Sequence, residues 1–471
     1  MKRFHHLFLI LLSLTTVFFF TESLAATSCS FKTQRVQCGK LACSKTEHIC
    51  IHCKEDADCY PGSMECVHTT GGCRVRILQK NFNFRIILAM ATGIMVCAIG
   101  VISGSGGGGI LVPLYAALIQ LPLETAVGIS QVTVCGQSVL NVFMSTRRKY
   151  VDTKWNRPLI NYQYLNLLFP LGLLGTSFGV LNTLLPDALR LILLFSILLV
   201  VLYTTTLKTL KQYKEDIRIK NTVLVNLDCD APPRIAAEST TTSAGCLSHH
   251  TPQEQYPIKN LLMYVFYFIL LLVSNIVRIY CTCGGVIYLV SLIIPLLVLF
   301  GGYCYTYRKL SNLHRVCPDA IAFNWERRTA LYYPFIAILA GAAGALLGIG
   351  GGVILGFVLY NINLVPDEVS VTANVVTCFI ALTNATHAVL KGDVPYDFGI
   401  IFCLIGVIST LIGNMVFLNE IRRQGMRFLI VLCMVFIVVG SLIATGAYSI
   451  YDILQKEDRS TIFMFGKLCA S

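Results

Sequence analysis

The sequence predicts an all-α membrane protein: a polytopic bundle of transmembrane helices built from two inverted repeats with glycine-broken helices, preceded by a small disulfide-rich domain. Three observations carry this. Apolar residues make up 55% of the chain and charged residues only 13%, and several apolar runs approach the ~20 residues that cross a ~30 Å hydrocarbon layer. The stretch "GSGGGGILVP" from Gly104 returns as "GIGGGVILGF" from Gly348. Eight cysteines (Cys29, Cys38, Cys43, Cys50, Cys53, Cys59, Cys66 and Cys73) crowd into 45 residues near the N-terminus.

Residues 1–25 have a basic start, an apolar centre and a small-x-small end at Ser23 and Ala25, the pattern of a secretory signal peptide. An uncleaved signal anchor is the other reading, and either delivers the next segment to an oxidising compartment. That segment, residues 26–80, holds the eight cysteines and too few apolar residues for an unaided core, so crosslinks must staple it. Cys50 and Cys53 with His48 and His52 offer zinc as a competing staple. The secretory context favours an extracytoplasmic disulfide knot, with no metal assigned.

Apolar segments lie at about 84–103, 109–121, 125–144, 158–180, 188–206, 258–279, 284–305, 330–347, 352–362, 370–390, 395–416 and 427–448. Those at 109 and 352 are short for a span and read as half-helices or re-entrant arms. With the knot outside, the basic clusters at Arg147, Arg148, Lys149, Lys154 and Arg157, at Lys208 to Lys220, at Arg308 to Arg328, and at Arg422 to Arg427 all fall in the cytosol, as the positive-inside rule requires. The net charge of +12 therefore serves to orient helices, and nucleic acid is not a partner. The chain divides into transmembrane repeat 1 at 84–206, a Ser/Thr-rich disordered cytosolic linker at 207–257, helices including repeat 2 at 258–448, and a tail at 449–471. His249 and His250 in the linker read as a solvated pair. The expected location is the secretory pathway or plasma membrane, multi-pass.

A constant offset of 244 aligns Gly104, Gly106, Gly107 and Gly108 with Gly348, Gly350, Gly351 and Gly352, and Pro122, Glu124 and Thr133 with Pro366, Glu368 and Thr377. Counting each arm as a crossing, an odd number of segments separates the two copies, which inverts one against the other. Inverted units with interrupted helices place a transport site where the broken segments meet. Consecutive glycines let the backbone leave helical geometry and aim N–H groups at an anion, helped by the positive end of the following half-helix. Close helix packing through small residues is the rival role.

Gly106, Gly107, Gly108, Gly350, Gly351 and Gly352 are thus candidate anion contacts, and Ser130, Gln131, Thr133, Asn374 and Thr377 candidate linings of a path, with interhelical hydrogen bonding as the rival. Glu124 and Glu368 follow prolines at helix starts, where capping is the ordinary role and proton coupling the sharper one. Asn141, Asn384 and His387 are weaker candidates. Arg278 reads as a snorkelling residue near the outer surface. Cys281 and Cys283 form an isolated Cys-x-Cys. Phosphate-binding loops, metalloprotease and hydrolase signatures and dinucleotide fingerprints are missing, so no cofactor and no enzymatic activity are assigned.

The blocks "GSGGGGILVP" with "LPLETAVGISQVT" and "GIGGGVILGF" with "LVPDEVSVTANVVT" resemble the TauE/SafE family of sulfite-exporter-type permeases, over roughly residues 84–448. The resemblance implies secondary transport of small sulfur-containing or carboxylated anions without ATP. This sequence departs from the pattern in three ways: Phe357 stands where the first block has Pro113, and the cysteine knot and the linker lie outside the shared core. The partners expected are the bilayer and a small anionic substrate, with protons as a candidate coupling ion. A receptor or sorting protein that binds ligands through its knot is the competing class.

Overall fold

The computed structural model describes residues 41–44, 49–60, 63–68, 71–78, 82–148, 158–179, 185–228, 257–282, 285–317, 325–362, 364–418 and 428–455, with a few isolated positions besides. The signal-like start, Cys29, His48, the pair His249 and His250, Cys283 and the tail beyond 455 lie outside the described residues.

The cysteine-rich segment folds on two short antiparallel pairs, β1 (Ala42–Cys43) with β2 (Cys50–Ile51) and β3 (Met64–Val67) with β4 (Gly72–Val75). Disulfides join Cys38 to Cys50, Cys53 to Cys66 and Cys59 to Cys73, and Cys43 is disulfide-bonded as well. The sulfurs of Cys53, Cys59 and Cys73 gather within 4.8 Å of one another. Each is already bonded to another sulfur, so the staple is disulfide and not zinc. Met64 and Ala42 fill the small core between the bridges, which is how so short a segment holds a fold.

The described residues beyond the knot form twelve helices: α1 (Phe84–Ser103), α2 (Gly108–Ile119), α3 (Leu123–Thr146), α4 (Tyr162–Thr176), α5 (Asp187–Asp228), α6 (Ile258–Tyr280), α7 (Val286–Val316), α8 (Tyr333–Leu347), α9 (Gly352–Asn361), α10 (Pro366–Leu390), α11 (Tyr396–Ile412) and α12 (Phe428–Gln455). Single π turns at Arg328–Tyr332 and Gly413–Leu418 extend α8 and α11. Each apolar run expected to be a segment carries one helix. Among the described residues nine helices are long and apolar enough to cross a membrane; α2 and α9 are shorter apolar helices, and α4, at 15 residues, falls short of that length as well.

The expected linker begins as helix, because α5 runs on to Asp228. No glycine or proline interrupts 187–228, and its Lys, Leu, Glu and Gln content favours continuation. Residues 229–256 lie outside the described set.

Burial sorts the helices into a centre and a rim. The most apolar windows of α3 and α10 are 72% and 78% buried, against 28% for α6 and 22% for α7. Outward-facing Leu262, Phe266 and Ile269 on α6 and Ile287, Ile294 and Leu297 on α7 are exposed, which in a span means lipid contact. The knot docks on one end of the bundle. Ser63 Oγ donates to the Gln120 carbonyl at 2.7 Å, the Leu78 amide donates to the Asp397 carboxylate, and Val75 and Leu78 join the helical core. This end is the knot face. Helix α3 starts there and α10 ends there, so Arg147, Arg148, Lys208, Lys211, Lys214, Arg308 and Arg328 belong to the opposite half of the bundle.

Candidate functional site

The two glycine clusters adopt the same backbone. Gly104, Gly106 and Gly107 have φ of 71°, 81° and 70°, and Gly348, Gly350 and Gly351 have 74°, 80° and 79°. A residue with a Cβ loses roughly 1–2 kcal/mol in this left-handed region, which is why glycine recurs at those offsets. Gly104 and Gly348 terminate α1 and α8, while Gly107 and Gly351 cap α2 and α9. Both long helices therefore break inside the bundle, and both half-helices begin there and run back toward the face their partner came from.

Gly108 and Gly352 have ordinary φ and are glycine for another reason. A Cβ on Gly108 would strike the Gly348 carbonyl and the Ile349 backbone, and a Cβ on Gly352 would lie 2.5 Å from the Gly104 carbonyl oxygen and 2.9 Å from Ser105 Cα. The reciprocity makes the turns cross back to back about a pseudo-two-fold axis. Gly106 and Gly350 face the same two side chains, Val134 and Thr377.

Side chains from α3 and α10 pin the crossing. Ser130 Oγ donates to the Gly348 carbonyl at 3.1 Å, and its repeat counterpart Asn374 donates to the Ser138 carbonyl at 3.3 Å. Thr133 and Thr377 each donate back to the carbonyl four residues earlier. Gln137, which sequence reasoning missed, spans the first turn: with its amide set to satisfy both ends, it donates to the Gly106 carbonyl at 2.9 Å and accepts from the Val101 amide at 3.1 Å. Ser370, also missed, donates to the Ile102 carbonyl at 2.9 Å, a group freed by the break in α1. Ser130, Thr133, Asn374 and Thr377 are all 1% exposed or less. The crossing is tightly packed, with glycine backbone set directly against glycine backbone.

Space opens on either side of that crossing. On the knot face a small recess is lined by Glu124, Gln131, Thr176, Asn275, Arg278, Asn384, His387, Lys391 and Asp393, among others. On the other side a much smaller recess, with room for about one water, is lined by Val101, Asn141, Ser145, Arg148, Asp367, Ser370 and Val371. The offset of 244 carries Val101 onto Ala345 and Val127 onto Val371, and one member of each pair lines each recess. Each recess also contains one arginine tied to an asparagine: Arg278 to Asn275 Oδ1, and Arg148 to Asn414 Oδ1 at 3.1 Å.

The sequence-predicted candidates thus divide. Gln131 and Glu124 lie in the knot-face recess with Asn384 and His387, and Asn141 lies in the opposite one. The six glycines, Ser130, Thr133, Asn374 and Thr377 lie in the packed crossing between them. The two glutamates, equivalent in sequence, differ in setting. Glu124 pairs with the buried Arg190 at 3.5 Å, whereas Glu368, 1% exposed, accepts from Asn161 Nδ2 at 3.1 Å. Arg278 does not snorkel to a surface. It turns into the recess, where its Nε and Nη1 have no hydrogen-bond partner, because α3, α4 and α10 close around the end of α6.

Comparisons with known proteins match the chain in two successive stretches. The family pattern "Sulfite exporter TauE/SafE" matches residues 89–245 and 235–442. The chain belongs to the TauE/SafE family. It is similar to Sulfite exporter TauE/SafE family protein 3 of Arabidopsis thaliana, 26% identical over 402 residues that cover 83% of this chain and 84% of that one. Family proteins 2 and 1 of the same plant are each 25% identical and cover 78% of this chain. No solved structure matches it. As a TauE/SafE member with nine candidate spans, it is a multi-pass membrane protein, and both glycine crossings fall inside the matched residues.

Proposed function

We propose that this TauE/SafE member is a secondary transporter of small anions, of the sulfite and sulfonate type, working by alternating access. The observation that carries the proposal is the pair of recesses related by the pseudo-two-fold, one on each side of a barrier built where two inverted repeats cross. Rocking one repeat against the other would close one recess and open its counterpart. The barrier suits such a motion, because six left-handed glycines and two glycine-on-carbonyl contacts let the turns slide without side chains interlocking.

The half-helices α2 and α9 begin at the crossing, so their positive ends face whatever passes between the recesses. Basic residues concentrate on the side away from the knot, which makes that side cytosolic under the positive-inside rule and the knot face extracytoplasmic. Glu124 is the better-placed coupling carboxylate of the two: it lines the knot-face recess, whereas Glu368 is sealed under Asn161. Transport, not catalysis, is the role assigned.

The test is uptake of radiolabelled sulfite, sulfate and a short alkanesulfonate into proteoliposomes of the full chain, with and without a pH gradient. Saturable, gradient-dependent uptake that Gly351→Leu abolishes, in protein that still elutes as a folded species, is the expected result. If none of the three anions enters with well-folded protein, the proposal falls and a ligand of the knot becomes the object of search.

A further inference from the structure

The knot-face recess contains more hydrogen-bonding capacity than the protein itself uses. Gln131 is 1% exposed and lines the recess, yet neither its amide nitrogen nor its amide oxygen has a partner. Asn384 Nδ2 lines the same space and is equally unpartnered, as are Nε and Nη1 of Arg278. A buried polar atom left in this state forfeits the hydrogen bond it made to water in the unfolded chain, and native folds keep few of them without cause. Orphaned groups converging on one recess from α3, α6 and α10 mark a place meant to be filled.

The charges in the recess say by what. Lys391 pairs with Asp393 at 3.0 Å, and Glu124 with Arg190 at 3.5 Å. Arg278 has no carboxylate within ion-pair distance among the described residues, its one bond there being to the neutral Asn275. One positive charge is therefore uncompensated, next to two amide side chains able to donate hydrogen bonds.

We infer that this recess is the extracytoplasmic binding site for a small oxygen-bearing monoanion, a sulfonate or hydrogensulfite head. Arg278 supplies the charge, Gln131 and Asn384 supply neutral donors, and the carboxylates of Glu124 and Asp393 at the wall disfavour a dianion. The inference rests on the transport reading above and names its substrate site. It also explains the placement of α6: this helix lies between the two repeats in sequence, has no counterpart within them, and adds a cation to only one of the two recesses.

The experiment is equilibrium binding of radiolabelled methanesulfonate to the full chain in nanodiscs, competed by unlabelled sulfate, alongside liposome uptake of methanesulfonate, sulfite and sulfate. Arg278→Gln and Gln131→Leu are each expected to weaken binding at least tenfold, Arg278→Lys to recover part of the loss, and sulfate to compete more weakly than methanesulfonate. Gln131→Leu changes no charge and fills space with a side chain of similar size, so it serves where Arg278→Gln does not fold. If the parent transports methanesulfonate while all three variants bind and transport it as the parent does, the recess is a water-filled vestibule: the inference is wrong and the transport reading stands. If sulfate competes as well as methanesulfonate, the monoanion assignment is wrong. If the parent neither binds methanesulfonate nor transports any of the three anions, both readings fail together.

Discussion

Replacing Gly352 by alanine tests the crossing of the two repeats. The backbone at Gly352 is ordinary helix, so alanine brings no left-handed penalty and gains roughly 0.5–1 kcal/mol of intrinsic helix preference. Against this, the new Cβ sits 2.5 Å from the Gly104 carbonyl oxygen and 2.9 Å from Ser105 Cα. Carbon contacts settle near ~3.5 Å, so one turn must retreat by about 1 Å. Both opposing atoms are backbone, held by the bonds of Ser370 and Gln137 to the end of α1 and its turn, and neither can rotate away. Overpacking of this kind costs ~1–3 kcal/mol, leaving a net loss of up to about 2.5 kcal/mol once the helix preference is subtracted.

The assay is thermal unfolding of detergent-solubilised protein, with Gly301→Ala as the reference because nothing lies within 4 Å of a Cβ built there. Gly352→Ala should melt below the parent and Gly301→Ala at or above it. Gly108→Ala should match Gly352→Ala, since each pushes the same pair of turns apart from opposite sides. The double variant should lose less than the sum, because one retreat accommodates both methyl groups. Gly352→Ala melting with Gly301→Ala would refute the back-to-back crossing.

The knot and the buried glutamate each yield a further expected outcome. Cys59→Ser removes the bridge to Cys73 and, with it, ~2–5 kcal/mol of support for the knot. Limited proteolysis should then cut within the knot while the helices stay protected. Asn161→Ala leaves the buried carboxylate of Glu368 without its 3.1 Å donor and should lower stability by roughly 1–3 kcal/mol. Adding Glu368→Leu should restore part of that loss, which the melting temperatures of the single and double variants will show.

The architecture was legible in the sequence where physics leaves no alternative residue. Positive φ at six matched positions demands glycine, so the duplication and the two breaks stood out, and apolar runs, long and short, located every helix. The cysteine spacing announced a disulfide knot, although pairing depends on a fold that spacing does not specify. The recesses were less visible. Gln131, Asn384 and His387 look like ordinary polar residues on apolar helices, and only the closing of α4 and α6 around them creates an enclosed space. Arg278 sits, along the linear chain, where a snorkelling arginine belongs. Its burial comes from neighbours about a hundred residues or more away in sequence. The far end of α5 was missed because its charged residues resemble a linker in composition while remaining good helix formers.

Alternating access requires the two recesses to be alternative openings of one path. Single cysteines at Thr176, in the knot-face recess, and at Ser145, in the opposite one, can be placed in a chain whose unpaired helix cysteines are replaced by alanine. Their labelling rates by a membrane-impermeant maleimide, applied from either side under opposite pH gradients with saturating methanesulfonate, measure access directly. Reciprocal change is predicted, one position gaining reactivity as the other loses it. Both positions rising and falling together, or neither responding, would contradict a shared path.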